Sequence, residues 1–327
     1  MTEALDPGSA PPPPREDLGV VTAIVVNWNC AADTIGLLQS LAPSFAQGLR
    51  AVVLDNASAD DSVSNLQAFL AEFRRGSLVE LIESPENLGF SAGVNVATER
   101  ALAASTPPEF ILLINPDGVA GPTTVPVLLS ASRASGVGIM SYEVDQWGLD
   151  AWPRVFYTRP EKLLSREIVG AWRLNGSYAG ACVLFSTALI RRLIAADGHF
   201  QDPGLFFYWD EWDVSLRSRR LGARIGAARG TGFAHHGDTR ALFSPLSTFR
   251  DYYSARNSVV VARRELSRWQ FWPMFAVHLL RDVSWRIRLM RHGVRPPWRV
   301  YALGTWHGLR GKTGRWDRHP AGRAANQ

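Results

Sequence analysis

Four short runs of buried-type residues, each followed at once by asparagine or aspartate, set the first limits on this chain. Val20 to Asn27, Ala51 to Leu54, Leu78 to Ile82 and Phe110 to Ile114 are strand-like. The segments between them, Ala32 to Leu41, Asp60 to Phe73 and Ser91 to Ala104, carry helical spacing such as Ile35, Leu38 and Leu41, with Ser58 or Asp60 as the expected cap of the second. Strict alternation predicts an α/β domain whose mostly parallel central sheet is flanked by helices. In such sheets ligands bind outside the carboxyl ends of the strands. Asn27 and Asn29, Asp55 and Asn56, Asn87 and Gly89, and Asn115 and Asp117 stand at those four ends. Such residues favour turns and caps anyway, so one cluster says little; recurrence at four strand ends is the signal.

Several function classes drop out. The turn after the first strand reads Asn27-Trp28-Asn29-Cys30, without the glycine fingerprint of dinucleotide enzymes, and no lysine follows a phosphate-loop pattern anywhere. Cys30 and Cys182 lack the paired spacing of zinc or redox motifs, so a reduced, cytosolic compartment is expected. Residues 1–18, with the run Pro11 to Pro14, read as a disordered tail without the charge and apolar core of a signal peptide. The most apolar stretch, Trp269 to Leu280, is broken by Pro273 and His278 and is too short to span a bilayer.

After Gly121 the alternation loosens. A strand at Ala181 to Phe185, a helix from about Asp210 and short strands near Ala223 and Thr231 complete a domain over 19–244, with a nucleotide-binding half (19–120) and an acceptor half (121–244). Residues 245–315 read as two or three amphipathic helices interrupted at Pro273 and Pro296-Pro297, and 316–327 as a flexible tail. The net charge of +5 hides an asymmetry: from Arg250 onward there are 16 Lys/Arg against 4 Asp/Glu, leaving 19 against 26 elsewhere. Half of the 12 tryptophans share that basic quarter. Arginine interleaved with tryptophan suits an anionic membrane surface, although packing on the catalytic domain would also account for it. Nucleic acid is not expected, because no recognition motif accompanies the charge.

Taken together, Val25-Val26-Asn27-Trp28-Asn29, Val53-Leu54-Asp55-Asn56-Ala57-Ser58, Asn87-Leu88-Gly89-Phe90 with Gly93-Val94-Asn95, and Leu113-Ile114-Asn115-Pro116-Asp117 resemble the successive nucleotide-sugar motifs of family 2 inverting glycosyltransferases of GT-A fold, in particular the rhamnosyltransferase-like branch. Gly180-Ala181-Cys182 resembles that family's acceptor-side segment. Phe207 to Asp213 with Leu216-Arg217 resembles its acidic helix start, and His235-His236-Gly237 its late histidine motif. Tyr252-Tyr253, Arg256-Asn257 and Gly308 to Gly314 resemble its C-terminal region.

The resemblance implies a GT-A (nucleotide-diphospho-sugar transferase) fold and transfer of a sugar, rhamnose from dTDP-rhamnose before others, from a nucleotide diphosphate to a hydroxyl of a glycan or polyprenyl-linked saccharide in envelope polysaccharide synthesis. It places the enzyme in the cytoplasm at the inner face of the plasma membrane. It implies that Asp55 meets the base edge, that Asn27, Asn29 and Asn87 lie near ribose or base with Asn56 beside them, and that Gly89 and Asn95 lie near ribose and diphosphate. Asp117, with Asn115 in place of a first acidic residue, and His235 would hold Mg²⁺ or Mn²⁺, which neutralises the departing diphosphate. Asp210, Glu211 and Asp213 crowd three carboxylates into four residues beside Trp209 and Trp212, and repulsion with apolar neighbours raises at least one pKa, as a general base needs. By the family's motif that base is Glu211. First-turn capping and the helix dipole would explain the acidic residues alone. Two other readings stay open: a nucleotidyl- or sugar-phosphate-transferring α/β enzyme, and a non-catalytic nucleotide-sugar-binding or membrane scaffold protein.

Overall fold

A computed structural model describes residues 17–143, 168–169, 172–235, 246–291, 293 and 296–316. Its first half follows the apolar runs: β1 (Val21–Asn27), α1 (Ala31–Ser40), α2 (Ala42–Phe45), β2 (Arg50–Asp55), α3 (Ser62–Glu72), β3 (Val79–Glu83), α4 (Phe90–Leu102), β4 (Phe110–Ile114), β5 (Gly118–Val119), α5 (Thr124–Ser135) and β6 (Ile139–Tyr142). The second half adds β7 (Ile168–Val169), β8 (Trp172–Asn175), β9 (Cys182–Ser186), α6 (Thr187–Asp197), α7 (Asp210–Arg220), β10 (Ile225–Ala228), β11 (Ala234–His235), α8 (Leu246–Glu265), α9 (Arg268–Arg291) and α10 (Trp298–Leu309).

Nine strands form one sheet in the order β3-β2-β1-β4-β9-β6-β10-β8-β7. The pairs β3–β2, β2–β1, β1–β4 and β6–β10 are parallel, while β9 runs antiparallel to both β4 and β6. All seven positions of β1 are buried, as expected of a strand covered on both faces. Its alternate residues serve two cores. Val21, Ala23 and Val25 pack with Leu37, Leu38, Leu66 and Leu128 of α1, α3 and α5, whereas Ile24 and Val26 pack with Val94, Ala97 and Ile190 of α4 and α6.

The sequence-based boundaries differ from the structure at four places. α3 begins at Ser62, and neither expected residue caps it as its N-cap; Asp60 Oδ1 accepts from Ser62 N–H, and Ser58 is drawn into the strand-end cluster described below. Pro273 does not interrupt the C-terminal helices but lies inside α9. It is barely one turn from the start, so the bond it forfeits is to the carbonyl of Trp269, a residue 91% exposed whose backbone water can reach. The break falls instead at Ser267, whose N–H and Oγ both donate to Gln270 Oε1, at 3.1 Å and 2.9 Å. At the far end, Trp316 stacks on Tyr252 at 4.1 Å rather than belonging to a tail, and at the near end Leu18 is fully buried.

Candidate active site

Parallel register brings the first three strand ends together: Asn27 pairs with Asp55, and Asp55 with Glu83. Asn27 donates to Asp55 Oδ1 at 2.7 Å and its own Oδ1 accepts from Thr34 Oγ1 at 2.7 Å. It is wholly buried and acts as an internal strut that holds the Asp55 carboxylate at the strand end. Asp55, 1% exposed, also accepts from Ser58 Oγ at 2.6 Å and from Ser58 N–H at 2.9 Å. Asn56 reaches across to the next loop, accepting from Leu88 N–H at 2.9 Å and donating to Gly89 O at 3.1 Å and Asn87 Oδ1 at 3.3 Å. Asn29 alone of this group is exposed; its Oδ1 accepts from Ala59 N–H at 2.8 Å.

Asn95 and Gly89 are also engaged by protein groups on this side. The amide of Asn95 donates to Gln201 O at 2.8 Å and accepts from Gln201 N–H at 2.9 Å, so it fastens the 200–202 loop. The close approach that glycine permits at Gly89 (φ +82°) is to protein as well: a Cβ there would come within 2.5 Å of the Phe206 ring, and Phe90 N–H donates to Phe206 O at 2.6 Å.

The other side is assembled by strand reversal. Because β9 runs back along β4, Ile114 pairs with Cys182, and Asn115 N–H donates to Ala181 O at 2.9 Å. Just beyond, β5 and β11 form a two-stranded ribbon in which Gly118 pairs with His235. That ribbon sets His235 Nε2 3.1 Å from Asp117 Oδ1, although the two are 118 residues apart. Asp117 raises the pKa of His235 through this hydrogen bond, against the opposing effect of burial. His236 and Gly237 lie outside the described residues.

The first turn of α7 carries the acidic cluster to the same edge. It is entered through a turn in which three bulky residues, Phe206, Tyr208 and Trp209, have φ of 65°, 63° and 73°. Left-handed backbone at a non-glycine residue costs about 1–3 kcal/mol and persists only where its surroundings hold it. Glu211 is half-buried, and its carboxylate lies directly over Gly180: a Cβ on that glycine would sit 2.4 Å from Oε1. Burial raises the pKa of Glu211, against the pull of its own backbone N–H. Burial, then the charge of Glu211, holds that of Asp210 well above the usual carboxylate range.

Asp213 has another use. Its Oδ2 pairs with Arg217 at 2.7 Å and its Oδ1 with Arg264 of α8 at 2.9 Å, both within a network that includes Asp202 and Asp197. Held between two guanidinium groups and 1% exposed, its side chain is committed to this ion-pair network. The spacing Asp213 to Arg217, one helical turn, is a signal of this pairing that the acidic cluster outweighed in the sequence reading.

The glycosyl transferase family 2 model matches residues 22–193, just over half of the 327 residues. The chain belongs to that family. No curated protein matches the glycosyltransferase in sequence. Among solved structures, it is similar to the mannosyltransferase PcManGT of Pyrobaculum calidifontis, solved with GDP-Man and Mn²⁺, at 18% identity and TM-score 0.57 over 95% of this chain and 90% of that one. It is also similar to residues 1–349 of S. aureus TarS, solved with UDP-GlcNAc, at 16% identity and TM-score 0.54 over 92% and 83% of the two chains. GalNAc-T7, solved with UDP, GalNAc and Mn²⁺, aligns at 13% identity and TM-score 0.51 over 73% and 50%. These are GT-A glycosyltransferases, and the likeness establishes that fold for the mainly parallel sheet described above.

Among the described residues of the glycosyltransferase, no three His, Cys, Asp or Glu side chains gather as a metal cage. The donors at Asp117 and His235 fit a different kind of site. Adjacent ligands of an octahedral ion at about 2.1 Å stand about 3 Å apart, and Asp117 Oδ1 and His235 Nε2 are 3.1 Å apart. Two such donors would leave the remaining positions of an ion to phosphate oxygens and water.

Two aromatic residues at the site escaped the sequence reading. Tyr142, at the end of β6, has its pKa pushed up to about 12, by burial first and then by the charges of Cys182, Asp117 and Glu211, so it stands within electrostatic reach of both halves of the site. Tyr178 is fully buried beside Asp210 and Glu211. Tyr142 opens the segment where strand periodicity lapses, which hid it, and Tyr178 precedes β9 in a loop that sequence pattern does not place.

Proposed function

We propose that this enzyme is a metal-assisted, inverting glycosyltransferase that moves a sugar from a nucleotide diphosphate to a hydroxyl of a glycan or lipid-linked saccharide. The rhamnosyltransferase-like motifs make dTDP-rhamnose the first donor to try, ahead of the GDP-mannose and UDP-GlcNAc bound by similar structures. One observation carries the reading: the Asp117–His235 pair and the raised-pKa Glu211 are brought to the same edge of the sheet, with Tyr142 sensing both acids. Asp117 and His235 would hold a divalent ion, Mg²⁺ or Mn²⁺, whose Lewis acidity offsets charge on the departing diphosphate.

The chain's own groups account for the rest of a single displacement. Glu211 Oε1 takes the proton of the acceptor hydroxyl, whose oxygen attacks the anomeric carbon opposite the leaving group. Gly180 provides the floor on which that carboxylate rests. Asn29, Asn87 and Asn115 would meet the donor, while Asn27 and Asn56 keep Asp55 and the 87–89 loop in place. A thermal-shift panel of nucleotide sugars, with and without Mg²⁺ or Mn²⁺, tests this. One donor should raise the melting temperature only with metal; no shift with any donor under either ion would remove the reading.

The helix α9 supports a cytoplasmic enzyme resting on the inner face of the plasma membrane, where a polyprenyl-linked acceptor would be met. Trp269, Trp272, Val277, Leu280, Ile287 and Met290 are exposed along it, with Arg281, Arg288 and Arg291 exposed beside them. An apolar helical face edged by arginine suits the headgroup region of an anionic bilayer. No described helix is long and apolar enough to cross one. In co-sedimentation, the protein should pellet with vesicles containing anionic phospholipid and stay in solution with phosphatidylcholine alone, and Trp269→Ala with Leu280→Ala should weaken pelleting at least about tenfold. Failure to pellet with either vesicle would dismiss the membrane contact and leave the transfer reading untouched.

A further inference from the structure

We propose that Arg256 and Asn257 of α8 are positioning residues for the reaction, because they fix the backbone turn from which Glu211 is presented. The proposal rests on the glycosyl-transfer reading above. The Asn257 amide nitrogen lies 2.9 Å from Leu205 O, 2.8 Å from Phe207 O and 2.9 Å from Tyr208 O, three carbonyls of one turn. Its Oδ1 accepts from Arg256 Nε at 2.8 Å, which orients the amide. Arg256 in turn donates to Leu205 O at 2.7 Å, Gly204 O at 3.1 Å and Gly314 O, with its guanidinium 4.7 Å over the Tyr253 ring. Both side chains are essentially excluded from solvent.

A turn so held is one that its own sequence does not favour. Phe206, Tyr208 and Trp209 all occupy left-handed backbone, and Trp209 is the residue from which α7 starts. Released, the turn would relax toward ordinary φ values and carry Asp210 and Glu211 away from Gly180. Its other end bears on the donor side, since Phe206 O accepts from Phe90 N–H and the Phe206 ring fills the space at Gly89. Asn56 and Asn87 hold the 87–89 loop independently, so the larger consequence falls on the base. Misplacing a catalytic group by about 1 Å costs about a hundredfold in rate.

The test compares Asn257→Ala, Asn257→Asp and Arg256→Lys with Val259→Ala in the full chain. Asp is isosteric but cannot donate, and Val259 is a buried α8 residue that packs on Ala262 and Phe271 instead of the turn. Turnover, donor affinity by calorimetry and amide hydrogen exchange over 204–213 are measured. The Asn257 variants should lose at least about 30-fold in kcat with donor affinity within about fivefold. Exchange over 204–213 should speed at least about tenfold relative to β1. Val259→Ala should lower the melting temperature with near-normal kcat. Wild-type kcat in Asn257→Asp, unchanged exchange in the turn, or an equal kcat loss in Val259→Ala would each overturn the proposal. If the wild type transfers no sugar, the transfer reading fails, and the exchange comparison still decides whether the two residues hold the turn.

Discussion

Glu211→Gln is expected to lower kcat by about a thousandfold, with donor affinity within about threefold of wild type. A thousandfold corresponds to about 4 kcal/mol of lost transition-state stabilisation, within the range assigned to a general base. Glutamine keeps the shape that rests on Gly180 but cannot accept the acceptor's proton. The pH profile of the wild type sharpens the test. Burial raises the pKa of Glu211, so the base becomes competent only as pH climbs through a limb above the ordinary glutamate range, and that limb should vanish in the variant. The same shift carries a stability sign. A carboxyl whose folded pKa is raised favours folding when protonated and opposes it once ionised, so at pH 7 both Asp210 and Glu211 weaken the fold. Glu211→Gln should therefore melt at or above the wild-type temperature while being nearly inactive. A variant that loses donor binding and transfer together would show that Glu211 does not serve as the base.

Asp117→Ala should fail differently. Metal-dependent stabilisation by the donor should disappear, and transfer should fall by about a thousandfold or more even at high metal concentration. The side chain supplies one of the two donor atoms that stand 3.1 Å apart, and His235 alone cannot fix an ion beside the diphosphate. Calorimetry with the nucleotide sugar, with and without Mn²⁺, separates the two variants: donor heat retained in Glu211→Gln, lost in Asp117→Ala. Retained metal-dependent binding in Asp117→Ala would move the ion elsewhere.

The donor half of this fold could be read from the chain, because each parallel strand announces itself as an apolar run and the register then sets Asn27 beside Asp55 without further information. What the side chains at those ends do was harder. Asn27 and Asn95 look like ligand contacts in sequence, and only the structure shows their amides filled by Asp55, Thr34 and Gln201. The meeting of Asp117 with His235 was legible only by resemblance, since a ribbon of two residues per strand has no pattern of its own. The turn before α7 was opaque for a physical reason. Aromatic residues favour extended backbone, and nothing local in Phe206 to Trp209 suggests left-handed φ; the groups that impose it lie about 50 residues downstream.

The contact of Gly314 with that turn also sets how late in synthesis the turn can be secured. Gly314 N–H donates to Gly204 O, and Arg256 bridges the two. Synthesis proceeds from the N-terminus at roughly 5–20 residues per second, so the roughly 110 residues between them take several seconds or more to follow. The sheet, complete by Ala228, can form during that interval while the acidic turn is still unsecured. A nascent chain thus acquires its scaffold before the turn that carries Glu211 is secured, and on the proposed reading the base is not set until the ribosome has delivered Gly314.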